Sequence, residues 1–111
     1  MNRWKNLTIL NASILTEYGE YEFRPVTLAE ARQIIREADN LTSAIGHEST
    51  AMLLTELLGR PVAANRIEYR QQPGDAALVF KLKSRPPEGA VLDRDQLEKI
   101  GYEFGLIIRR S

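Results

Sequence analysis

The chain of 111 residues holds one histidine, His47, and no cysteine, so few positions are available for acid–base or nucleophilic work. His47 lies in the stretch Leu41–Gly59, LTSAIGHESTAMLLTELLG, after Gly46 and before Glu48, Ser49 and Thr50. Ala51, Leu54, Leu57 and Leu58 recur at helical spacing, so the stretch reads as a short polar approach, a glycine, the histidine and an amphipathic helix. Four residues before Ala51, His47 falls in the first turn at the edge of the apolar stripe. The opening amides of a helix have no intrahelical acceptor, and they favour an anion and a neutral rather than a protonated imidazole. A phosphate and a near-neutral acid or base can therefore meet there. A lone histidine at the inner edge of a helix more often packs and hydrogen-bonds, so position alone leaves both readings open.

Other residues add to this one. Asn11 and Ser13 stand in a small polar loop leaving an apolar segment, which serves equally as a ligand position or a plain turn. Arg66 alternates with Glu68 and Arg70, and it is a candidate phosphate ligand if that side lines a groove and a solvated residue if it does not. The segment SRPPEGAV at 84–91 carries Arg85 and Glu88 between prolines and a glycine. Prolines limit its conformations and Gly89 leaves a hinge, while an arginine there can grip a phosphate through two parallel bonds. Glu88 is an acid–base group or a 2′-hydroxyl partner if it points inward, and an ordinary solvated carboxylate otherwise.

The totals exclude several classes. Fifteen basic and fifteen acidic residues cancel, which argues against a protein that grips long nucleic acid through bulk charge. Without cysteine there are no disulfides or thiolates, and one histidine makes a zinc site within one subunit a poor reading. No metal and no cofactor is expected. No apolar run approaches the roughly 20 residues of a membrane span, and MNRWKNLTILNAS does not read as a signal peptide. The expectation is a cytoplasmic protein.

These side chains need a scaffold. Trp4–Leu10 reads as a central strand and Tyr21–Arg24 as a short one. Pro25–Glu30 opens a helix, with Thr27 capping, Glu30 answering three residues on, and Leu28, Ala31, Ile34, Ile35 and Ala38 as the apolar face. Residues 41–59 give the second helix, closed by Gly59 and Pro61. Residues 63–71 and 76–83 read as a strand pair linked by Gln72-Pro73-Gly74-Asp75, a type II turn. Leu92, Asp93, Gln96 and Leu97 mark a short helix ended by Gly101. Tyr102–Arg109 is a closing strand whose Gly105 marks a bulge or a close approach. The expected order is ββααββαβ: a single α/β domain, α+β-like, over residues 1–111, with about five strands in a mixed sheet, two main helices and one short helix. The helices can cover one sheet face and leave the other for a partner, most simply a second copy.

Several blocks carry a specific likeness: LNASIL at 10–15, SAIGHESTA at 43–51, LLG at 57–59, NRIE at 65–68, PGDAALVF at 73–80, SRPPEG at 84–89 and YEFGL at 102–106. Over roughly residues 6–109 the chain resembles a small viral and mobile-element family first known from archaeal viruses, with bacterial members. Its members act as anti-CRISPR ring nucleases in type III defence. They are homodimers that bind cyclic tetra-adenylate in a cleft across the subunit interface. The resemblance implies that His47 is the catalytic histidine, that Arg85 and Glu88 complete the site, and that Asn11, Ser13, Gly46, Ser49 and Arg66 surround the ligand. It implies cleavage without a metal, by attack of a ribose 2′-hydroxyl on the adjacent phosphorus. Glu88 would orient that hydroxyl, accept its proton or hold His47 in its acidic form, and the sequence does not choose. A non-catalytic sensor of the same ring and a small DNA-binding regulator are the alternatives. Lack of net charge counts against the regulator.

Overall fold

The centre of the fold is a five-stranded mixed sheet backed by three helices, seen among the residues that the computed structural model describes: 6–11, 17–67, 69–84 and 93–111. Along the chain these are β1 (Asn6–Leu10), β2 (Tyr21–Val26), α1 (Leu28–Glu37), β3 (Asn40–Ser43), α2 (Glu48–Leu58), β4 (Ala76–Leu82), α3 (Arg94–Ile100) and β5 (Tyr102–Arg109). The strands lie in the order β2-β5-β4-β1-β3. β1 runs parallel to both its neighbours, with Ile9 beside Ser43 and Leu78. β5 pairs antiparallel with β4 and β2. The architecture is therefore α+β, as the residue pattern predicts.

Alternation along the strands divides the buried residues between the two faces. Leu7 and Ile9 of β1, Leu78 and Phe80 of β4 and Phe104 and Leu106 of β5 join Ala31, Ile35, Leu54, Leu57 and Leu97 of the helices in one core. Burying each such large side chain contributes about 1.5–3 kcal/mol. Leu10, Ala77, Val79 and Ile107 form a smaller cluster on the other face, covered in part by Tyr21, Ala44 and Tyr69.

Local chemistry explains the helix ends. Thr27 Oγ1 accepts from the Glu30 amide at 3.1 Å, and Glu30 Oε1 accepts from the Thr27 amide at 2.9 Å. The Thr27 amide, and after it the Thr27 hydroxyl, hold the Glu30 carboxyl below its ordinary range. Asp93 caps α3 by accepting from the Gln96 amide at 2.8 Å. The expected partner of Leu97, Leu92, lies outside the described residues. Two arginines fasten the helices together through carbonyls that the last turns leave open: Arg32 Nε donates to Leu57 O at 2.7 Å, and Arg60 Nη1 donates to Ile35 O and Ala38 O at 2.8 and 2.6 Å.

Three expectations need correction. Residues 41–43 belong to a strand, β3, so the order is ββαβαβαβ. The polar NLTS sequence conceals it because an edge strand of four residues needs only one buried side chain, Ser43. No strand forms at residues 63–67 or 69–71, and the 63–83 hairpin does not exist. That segment instead crosses the open sheet face, where Tyr69 supplies the apolar contact that alternation had assigned to a strand. β2 runs on through Pro25 to Val26, which is permitted because β2 is an edge strand and Pro25 needs no ladder bond there. The Gln72–Asp75 turn does form, closed by the Asp75 amide on Gln72 O at 2.9 Å with Gly74 at φ +91°, but it feeds β4 from the crossing segment. Gly105 marks a close approach and no bulge. Its register with Val79 and Pro25 is unbroken, and a Cβ there would lie 2.5 Å from the Phe23 ring.

Candidate functional site

β1, β3 and β4 point their carboxyl ends the same way, and each hands the chain to a segment singled out by its residue types. β1 leads to Asn11, which is exposed. β3 leads through 44–46 to His47, and β4 leads through Ser84 toward the 85–92 segment. Ligand sites in open sheets with parallel strands gather at such ends, where several loops converge on one rim. Arg85, Glu88 and Ser13 lie outside the described residues.

His47 is the N-cap of α2, with φ −117° and ψ 130°. Its carbonyl accepts the first helical bond, from the Ala51 amide at 3.0 Å, but its side chain makes no capping bond. The residue is exposed, not set at the inner edge of the buried stripe as helical spacing predicts. The stripe itself, Ala51, Leu54, Leu57 and Leu58, is buried as expected and gains Leu53. His47 departs from it because the N-cap has extended dihedrals, so its Cβ no longer follows the helical progression. The exposed imidazole, free of a capping bond, stands beside the opening amides of an 11-residue helix, where a ligand can reach it.

Arg66 supplies a cation next to it. Its Nε donates to Gly46 O at 3.1 Å, leaving the outer guanidinium nitrogens available to an anion. Gly46 is closely covered, since a Cβ there would sit 3.4 Å from Arg66 Cγ. Ser49 is exposed in the first turn of α2, on the same rim. The structure thus brings His47, Gly46, Ser49 and Arg66 together and places Asn11 at the end of the adjoining strand. Arg66 and Arg70 do not share a strand face, because neither lies in a strand; Glu68 lies outside the described residues.

The turn before His47 is held by residues that the sequence did not mark. Ser43 Oγ donates to Ala63 O at 2.6 Å and accepts from the Ile45 amide at 3.2 Å. Asn65 Nδ2 donates to Ser43 O at 2.8 Å, and the Asn65 amide donates to Ile45 O at 2.7 Å. Asn65 falls within NRIE, but a strand reading of that segment concealed its contacts.

Fold and site define a helix-backed mixed-sheet domain with a polar rim at the carboxyl ends of its parallel strands. The chain belongs to the STIV B116-like family, whose model matches residues 7–104. It is 36% identical over 104 residues to the protein YddF of Bacillus subtilis (strain 168), covering 93% of this chain and 96% of YddF. It is 38% identical over 108 residues to the ORF117 protein of Acidianus two-tailed virus, covering 93% and 92% of the two chains. The solved structure of B116 of Sulfolobus turreted icosahedral virus superposes with a TM-score of 0.76 at 24% identity, covering 93% of this chain and 98% of that one, a likeness of fold.

Proposed function

We propose that this protein is a metal-independent ring nuclease that cleaves cyclic tetra-adenylate, the second messenger of type III CRISPR defence, across a homodimer interface. The observation that carries the reading is the exposed, uncapped His47 at the start of α2 with Arg66 bonded to the residue before it. Membership of the family that the GHEST block and the Arg85–Glu88 segment resemble supports it.

The substrate carries its own nucleophile. A ribose 2′-hydroxyl attacks the adjacent phosphorus in line, the bond to the 5′ oxygen breaks, and the products are a 2′,3′-cyclic phosphate and a 5′-hydroxyl. His47 gives its proton to the departing 5′ oxygen. Arg66, Arg85 and the opening amides of α2 offset charge on the phosphorane. The 2′ proton passes to Glu88 or to solvent. A ring with four-fold symmetry contains a two-fold axis, so two subunits can each present one His47 to opposite phosphodiesters and release two linear di-adenylates.

The test is incubation of purified protein with cyclic tetra-adenylate in EDTA, with products separated by size. Di-adenylate ending in a 2′,3′-cyclic phosphate, formed at a rate unaltered by chelator, is expected. Strict metal dependence overturns the mechanism. Tight binding without cleavage converts the protein into a sensor of the ring.

A further inference from the structure

Each peptide unit from Ser43 to His47 is held by at least one hydrogen bond, through its N–H or its carbonyl. Ala44 donates to Ile9 O at 2.9 Å, tying the turn to the central strand. Ser43 O, Ile45 N, Ile45 O and Gly46 O are bonded in turn by Asn65 Nδ2, Ser43 Oγ, the Asn65 amide and Arg66 Nε. Ile45, at 0% exposure, anchors the middle of the turn in the main core. The His47 side chain makes no capping bond, so the main-chain bonds of the turn set where the residue enters α2.

From this we propose that Asn65, together with Ser43, is a positioning residue for His47. Asn65 is the only residue that reaches the turn with both its side chain and its main chain among the bonds described. It grips the carbonyls of Ser43 and Ile45, on either side of Ala44, and so sets where the chain enters the N-cap. Ser43, 8% exposed, closes the same network from beneath through Ala63. Loss of the Asn65 amide group frees Ser43 O and lets the turn shift. A displacement of about 1 Å in a reacting group can cost on the order of 100-fold in rate. The prediction concerning turnover rests on the ring-nuclease reading, whereas the prediction concerning His47 itself does not.

The full chain would be compared with Asn65→Ala, Asn65→Asp and Ser43→Ala. Aspartate keeps the size of the side chain but has no donor for Ser43 O. Because there is one histidine, its ring Cε1–H proton gives a single, directly assigned NMR signal. The Asn65 variants should displace this signal and the Gly46 amide signal. Arg60→Ala is the structural control: it removes bonds to the end of α1 and should lower the unfolding midpoint while leaving His47 in place. On cyclic tetra-adenylate, the Asn65 variants should lose about 10- to 100-fold in single-turnover rate per folded molecule, with affinity held within about twofold. Unmoved His47 and Gly46 signals in both Asn65 variants overturn the proposal, as does a loss of rate fully explained by the unfolded fraction. If the unaltered protein does not cut the ring, the ring-nuclease reading fails, and the NMR comparison still decides whether Asn65 positions His47.

Discussion

His47 and Arg66 divide the proposed work between proton transfer and charge. His47→Ala should lower cleavage by about 10²- to 10⁴-fold, the usual contribution of a general acid, while a filter-binding assay returns near-normal affinity. Unchanged turnover would remove His47 from the mechanism. Arg66→Ala should weaken binding of the ring by about 10- to 100-fold, the loss expected of a charge-assisted bond worth about 1.5–3 kcal/mol, as calorimetry can measure. At this scale the sequence was informative where chemistry depends on rare residue types. The sole histidine, its neighbouring glycine and the serine of the first turn lie together at the start of α2, as their spacing predicts. The exposure of His47 was not legible, because helical spacing extends backward through an N-cap only if the N-cap is itself helical. Asn65 was hidden because its role lies in hydrogen bonds made across twenty or more residues, which composition does not register.

Among the elements, the crossing segment from Arg66 to Asp75 carries the clearest pH prediction. Burial pushes the Tyr69 phenol above its ordinary value of 10.0, the Thr8 hydroxyl works in the opposite direction, and the Asp75 carboxylate adds to the rise. The folded chain therefore holds the phenolic proton more tightly than the unfolded chain does. That contribution is fully present below pH 10.0 and is lost as pH rises through the folded value. Denaturant midpoints should fall on the alkaline side, and Tyr69→Phe should flatten this part of the profile. A second test concerns the approach of Phe23 to Gly105. Gly105→Ala should push the ring, already 47% exposed, off the sheet and cost about 1 kcal/mol of unfolding free energy. In a Phe23→Ala background the same substitution should be close to neutral. Thr27, Asp93 and the Pro73-Gly74 turn could be read from short-range signals alone, since each requires particular residues at particular spacings. β3 and the crossing segment could not. A polar four-residue strand and an apolar residue resting on a sheet face owe their state to what lies beside them.

For the whole molecule, the helices cover one side of the sheet, and among the described residues the other side carries the small cluster around Tyr69. The proposed paired site requires two copies, so sedimentation equilibrium should return twice the mass of the chain, and a monomer at working concentrations would refute the pairing. The strand order has a kinetic consequence as well. Of the four neighbouring strand pairs, only β4 and β5 are consecutive strands in the chain. β1, in the sheet interior, must await β4, with Leu7 meeting Ala76, before its second edge is satisfied. The β4–α3–β5 unit is therefore the natural nucleus, yet it is the part of the described chain that leaves the ribosome last. Closing the sheet around β1 should be a late event governed by long loop closures, and refolding after dilution from denaturant should take milliseconds to seconds, as in other domains dominated by distant pairings.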